Sequence, residues 1–143
     1  MRFLARRFPA AAVFASAIAA ALFAGATAAG ESDRIEGMTS KQAREFALVQ
    51  IRALVAMSRA GGRHADAQCR TAAARAATLA GNAIEAVAQA DQARDRGLRA
   101  VGTQAAEDPA VQANYRRVAG ATLEARQTVV KSANCPDLLA ERR

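Results

Sequence analysis

Residues 69–90 read CRTAAARAATLAGNAIEAVAQA, and small apolar residues recur through this stretch three or four positions apart. Residues at that spacing share one face of a helix, so the pattern predicts a helix with one buried stripe. Because most of the stripe is alanine, a partner helix can approach closely, but little apolar area is buried per residue. The predicted stripe comprises Cys69, Ala72, Ala76, Ala80, Ala83, Val87 and Ala90.

Helical patterns lie on both sides of this stretch. Thr39 and Gln42 predict a capping box at the start of a helix over residues 39–62, which two glycines end. Asp108 followed by Pro109 predicts the N-cap and first position of a third helix. Their predicted inner stripes are Ala43, Phe46, Ala47, Gln50, Leu54 and Met57 in the first helix, and Val111, Tyr115, Val118, Thr122, Ala125 and Val129 in the last.

The two cysteines favour one of two topologies. A helix break at Gly81 would give four short helices and would leave Cys69 about 25 Å from Cys135, at about 1.5 Å per residue. A disulfide needs Cα atoms within about 7 Å. A helix that continues through Gly81 gives a long hairpin with matched arms, since Cys69 lies 28 residues before the predicted turn and Cys135 26 residues after it. The continuous helix therefore predicts a disulfide; free thiols and intermolecular pairing are the alternatives.

The predicted fold is all-α, a three-helix antiparallel assembly built on a long helical hairpin stapled by one disulfide. Gly97 is a predicted C-cap, with residues 97–108 as the connection, and a further turn through Val101 is the alternative.

The N-terminal segment has the pattern of a secretory signal peptide. Three arginines among the first seven residues precede an uncharged run over residues 8–30, and Ala26-Thr27-Ala28 is a small-x-small cleavage site. We predict a signal peptide at 1–28, a flexible lead-in at 29–38 and a helical domain at 39–143. The protein is then periplasmic or secreted, bacterial, and without a stable membrane span after cleavage. An uncleaved anchor is the alternative, because the uncharged run is about long enough to span a bilayer.

Composition excludes several classes of partner. After cleavage the net charge falls to +4, which is low for a protein that binds nucleic acid. The chain has no tryptophan, and Tyr115 is its one tyrosine, so it offers few platforms for stacking bases or sugars.

No catalytic constellation is present in the sequence. His64 is the one histidine, and we expect it at a solvated helix start rather than as a metal ligand. Asp91 and Asp95 alternate with arginines, which indicates a solvated helix end rather than a paired acid and base. We therefore expect no enzyme activity, no cofactor, no metal and no small-molecule site.

Met38-Thr39-Ser40-Lys41-Gln42 resembles the Leu-Thr-x-x-Gln motif of the small periplasmic all-helical chaperones of the Spy and CpxP kind. The match has methionine in place of leucine and occurs in one copy. The resemblance implies an exported, basic, cradle-shaped protein that binds unfolded proteins, and this is the alternative function.

A protein partner or self-association is the first expectation. A first helix of about twenty residues is shorter than hairpin arms of nearly thirty, so the turn half would keep an exposed apolar strip. The predicted interface residues are Tyr115 as anchor, with Val111, Val87 and Leu98. The alternative is that Tyr115 packs over the small Ala90 and that the 97–108 connection folds back to cover the rest of the strip. The sequence thus predicts an exported, non-catalytic helical protein with a protein-binding or structural role in the periplasm.

Overall fold

The computed structural model describes residues 28–102, 108–135 and 138. The predicted signal peptide, apart from Ala28, and most of the predicted connection at 97–108 beyond Gly102 lie outside the described residues. Within them the chain is helical and contains no strand: α1 Ala28–Glu36, α2 Ser40–Gly62, α3 Ala67–Val101 and α4 Pro109–Ser132. The prediction of an all-α protein is confirmed.

Helix α2 begins at the predicted capping box. The Gln42 backbone N–H donates to the Thr39 hydroxyl at 3.3 Å, and the Thr39 N–H donates to the Gln42 side-chain oxygen at 3.0 Å. These two bonds satisfy N–H groups that have no partner within the helix. At the other end Gly61 is buried, and a Cβ built on it would lie 2.5 Å from Leu138 Cδ2 and 2.9 Å from the Cys69 carbonyl oxygen. Glycine lets the end of α2 pack directly against neighbouring backbone.

Helix α3 is continuous through Gly81, as predicted. Asp66 caps it by accepting from the N–H groups of Gln68 at 2.6 Å and Cys69 at 3.4 Å. Gly81 is exposed with no atom within 4 Å of a Cβ built there, so it costs the helix only about 1 kcal/mol. The C-cap is Gly102 at φ +75°, a conformation that favours glycine, and the predicted C-cap at Gly97 is wrong. The further turn through Val101 is present.

Helix α4 begins as predicted. The Asp108 side chain accepts from the Ala110 N–H at 2.8 Å, and Pro109 occupies the first turn, where its missing N–H is not needed.

Residues 28–36 differ from the flexible lead-in expected for 29–38, because they form α1. Ile35 is 5% exposed within the hydrophobic core, and the Gln127 side chain of α4 donates to the Glu31 carboxylate at 3.1 Å. Contacts with α4 thus hold a segment whose own sequence has no clear helical period.

The alanine stripe of α3 forms the centre of the core. Its seven members are all buried, and so is the neighbouring Ala73. The seven stripe residues divide between two apolar clusters along the helix. The same helix carries the predicted disulfide, which joins Cys69 to Cys135 with a Cα separation of 5.3 Å. Small side chains on α3 are what allow α2 and α4 to approach it.

Where two of the long helices touch, the contacting residues occur in opposite order along the two helices. Arg44 of α2 meets Asp91 of α3, whereas Gly61, further along α2, lies beside Ala73, earlier on α3. Likewise Tyr115 of α4 bonds to Asp91, whereas the disulfide joins the chain after α4 to the start of α3.

Candidate functional site

A cleft of about 570 Å³ opens at the start of α2, where α3 and α4 also contribute side chains. Most of the groups around it are polar or charged, and three are cationic. The lining residues are Thr39, Ser40, Lys41, Arg44, Glu45, Arg94 and Tyr115.

Three side chains from three helices, Arg44, Asp91 and Tyr115, form one cluster beside this cleft; we call it the Asp91 cluster. Arg44 donates to both carboxylate oxygens of Asp91, from Nε and from Nη2, each at 2.8 Å. The Tyr115 hydroxyl donates to Asp91 Oδ1 at 2.5 Å. A bidentate guanidinium and a phenol therefore bind the same carboxylate, and the cluster ties α2, α3 and α4 together.

The electrostatics of the cluster keep each group in its ordinary charge state. The hydrogen bonds from Arg44 hold the pKa of the Asp91 carboxyl below its usual range, against the opposing effect of burial. Burial, followed by the hydrogen bond to Asp91, raises the pKa of the Tyr115 phenol to about 12. At neutral pH the carboxylate is ionised with both oxygens bonded, and the phenol is protonated. The Asp91 carboxylate is therefore a poor general base, and the Tyr115 phenol is a poor general acid.

Arg94, the other arginine that lines the cleft, and two arginines of α4 also have partners. Arg94 pairs with Asp95 at 2.9 Å, and this bond raises the pKa of the Arg94 guanidinium. Arg116 donates to the Met38 carbonyl oxygen at 2.8 Å, and Arg117 donates to Asn114 at 3.0 Å. Neighbouring residues on a helix point about 100° apart, and the two arginines accordingly have separate partners.

The predicted interface residues are mostly inside the molecule. Tyr115 is 1% exposed and Val87 is 5% exposed, while Val111 and Leu98 are half-buried. Tyr115 is therefore not an exposed anchor, which agrees with the alternative that its ring packs inward. The reason is the reach of α2, whose Ala43 and Ala47 lie in the same buried cluster as Val87 and Tyr115.

Gln50, a polar residue in the predicted apolar stripe of α2, is 4% exposed. Its side-chain oxygen accepts from Arg126 of α4 at 2.9 Å. Among the described residues, no buried side-chain nitrogen or oxygen lacks a hydrogen-bond partner.

A shallow apolar groove of about 190 Å³ lies between α3 and α4, and residues of these two helices line it. Its side chains are mainly small, so a further helix could approach the backbone closely. The lining residues are Leu79, Asn82, Ala83, Ala86, Val118, Ala121, Thr122 and Ala125. This groove was not predicted from the sequence, although alanines on adjacent faces of α3 and α4 indicate it.

At the opposite end from the cleft, the structure brings His64 to the disulfide. A ring nitrogen of His64 and the sulfur atoms of Cys69 and Cys135 all lie within 4.8 Å of one another. Sequence spacing placed His64 near Cys69, and the predicted disulfide placed Cys135 there too, but neither showed that the imidazole lies beside both sulfur atoms. The histidine Nδ1 accepts from the Asp66 N–H at 3.1 Å.

No protein-family model matches the sequence, and no curated protein and no solved structure matches it. Of the helices within 28–102 and 108–132, none is both long enough and apolar enough to cross a membrane.

Proposed function

We propose that the protein is an exported, non-catalytic helical module that acts through contact with a helix of a partner protein. The observation that carries this proposal is the apolar groove between α3 and α4, which no residue of α2 lines. Small residues at a helix surface permit close approach of another helix, and an apolar groove is stabilised when it is covered.

The arrangement that we infer for the fold is a three-helix antiparallel assembly of α2, α3 and α4, with the α3–α4 hairpin closed by the disulfide. The opposite order of contacts along α2 and α3, and along α3 and α4, supports it. In this arrangement α2 occupies one side of the hairpin and leaves the groove on another.

The state of the Asp91 cluster supports a non-catalytic role. Both oxygens of Asp91 are engaged by Arg44, and Tyr115 shares one of them, so the most developed polar cluster of the described chain works as a tie between helices. Catalysis needs a group that is free to exchange a proton or to attack.

Export is supported by the signal-peptide pattern at 1–28 and by the disulfide, because disulfides persist in oxidising compartments. We therefore place the protein in the periplasm or outside the cell.

A pair of matched substitutions tests the groove. Ala121 lies at the groove and is exposed, whereas Ala74 is an exposed alanine of α3 that does not line it. Ala121→Glu places a charge where an apolar helix would bind, and Ala74→Glu introduces the same charge elsewhere. Partner capture from a periplasmic extract should fall about tenfold or more with Ala121→Glu, as expected for a charge buried in an interface, and should be unchanged with Ala74→Glu.

Two further measurements identify the partner class. Light scattering of both variants reports whether the groove binds a second copy of the chain. Addition of a denatured client reports whether the protein binds unfolded chains, as the resemblance to the Spy and CpxP kind of chaperone implies. Equal capture by the two variants would contradict the groove as the working surface.

A further inference from the structure

The disulfide end of the hairpin gathers three side chains that are all ligands for soft metal ions. His64 lies between α2 and α3, Cys69 is in the first turn of α3, and Cys135 follows α4. The two cysteines are each 2% exposed, and His64 is half-buried. One ligand atom from each lies within 4.8 Å of the other two.

We propose that reduction of the Cys69–Cys135 disulfide converts this cluster into a binding site for a thiophilic divalent cation, with Zn²⁺ as the probe. In the disulfide each sulfur is bonded to the other and offers no thiolate. In the reduced chain the same two sulfurs and the His64 imidazole form a Cys₂His set, which is a set that zinc prefers.

The dimensions fit such an ion. Zinc binds thiolate sulfur at about 2.3 Å and imidazole nitrogen at about 2.0 Å, so tetrahedral ligand atoms lie about 3.5 to 3.8 Å apart. The three ligand atoms all lie within 4.8 Å of one another, which exceeds that range by about 1 Å at most, so small side-chain movements after reduction bring them to it. Three protein ligands leave a fourth position, which water fills.

The proposed step balances with a dithiol as the reductant. The dithiol transfers two electrons and two protons to the cystine, so that two thiols form and the dithiol becomes its own cyclic disulfide. The cation then displaces the two thiol protons and binds two thiolates and the neutral imidazole. The site therefore exists in the reduced chain and is closed in the oxidised chain.

Cobalt, which adopts zinc geometry and is coloured, gives the direct test. The full chain is reduced with an excess of dithiol, freed of reductant without oxygen, and titrated with Co²⁺ and then with Zn²⁺. The reduced protein should bind one ion per chain and show thiolate-to-cobalt charge-transfer absorption that Zn²⁺ abolishes. The oxidised protein should show no such absorption.

His64→Ala separates the proposed site from binding by two thiols alone. Because loss of a direct ligand should exceed the effect of losing a supporting group, we expect Kd to rise about 100-fold. His64 lies outside the helices, and circular dichroism of the oxidised variant checks that its fold is intact. Equal affinity of His64→Ala and the natural chain would overturn the proposal, and so would reduced protein without charge-transfer absorption.

A second measurement covers the case in which the reduced chain unfolds. Zn²⁺ should then restore helical circular dichroism to the reduced natural chain but not to a Cys69→Ser/Cys135→Ser variant. If zinc restores helix in neither or in both, the three residues do not form the site.

Discussion

Tyr115→Phe removes one hydroxyl from the Asp91 cluster and leaves the ring in place. The lost bond is a phenol donating to a charged carboxylate at 2.5 Å, and bonds of that type are worth about 1.5 to 3 kcal/mol. Asp91 keeps both bonds from Arg44, so no oxygen is left buried without a partner. We therefore expect the free energy of unfolding at neutral pH to fall by about 2 kcal/mol, within that range.

The same hydroxyl predicts how stability depends on pH. In the folded chain the pKa of Tyr115 is raised from 10.0 to about 12, so between these values the unfolded chain loses the phenol proton while the folded chain keeps it. The free energy of unfolding must therefore fall as pH rises through this interval, by about 2 to 3 kcal/mol in total. In Tyr115→Phe the free energy of unfolding should not show this fall at alkaline pH. Its dependence on pH should then come only from the other titrating groups.

The assay is simple because Tyr115 is the one tyrosine and the chain has no tryptophan. Tyrosinate absorbance follows its ionisation directly, circular dichroism follows the helices, and urea unfolding at a series of pH values gives the free energies. Ionisation of Tyr115 near pH 10 with the helical signal intact would refute the reasoning, as would parallel alkaline losses in the natural chain and in Tyr115→Phe.

Three other predictions concern the staple, the glycines and the N-terminus. Reduction of the disulfide, which spans 66 residues, should lower the free energy of unfolding by up to about 4 kcal/mol, measured by urea unfolding with and without reductant; equal stabilities would contradict a structural role. Gly61→Ala should destabilise the protein by about 1 to 3 kcal/mol, because its Cβ would lie 2.9 Å from the Cys69 carbonyl oxygen, whereas Gly81→Ala should stabilise it by up to about 1 kcal/mol. Thermal unfolding compares the two variants, and effects of the same sign would contradict the packing described. N-terminal sequencing of the exported chain should begin at Ala29 or within a residue or two, and residues 1–28 retained in a membrane fraction would instead support an anchor.

Local sequence signals predicted the starts of α2 and α4 because each of these boundaries has a nearby chemical cause. Thr39 and Asp108 cap their helices through atoms two or three residues away. The continuity of α3 through Gly81 followed from an apolar stripe that kept its phase. The disulfide followed in turn, since a continuous helix gives matched hairpin arms.

Features that depend on residues far apart in the sequence could not be predicted from local sequence patterns. Asp91 appeared as a solvated acid because its partners are far away, with Arg44 47 residues before it and Tyr115 24 residues after it. The burial of Tyr115 depends on how far α2 reaches along the hairpin, which is a property of packing between helices rather than of periodicity. Helix α1 was missed for the same reason, since Ile35 is buried by tertiary contacts.

The position of the disulfide determines how the chain would respond to force. A molecule pulled at its two ends carries tension along the backbone to Cys69, across the two sulfurs, and on from Cys135. The segment between the two cysteines, with a sequence separation of 66 residues, lies off that covalent path, so α4 and nearly all of α3 cannot be pulled straight while the bond is intact. At about 3.5 Å per residue the oxidised chain would extend about 230 Å less than the reduced chain. Of the helices in the described part of the chain, α1 and α2 would be the ones pulled straight.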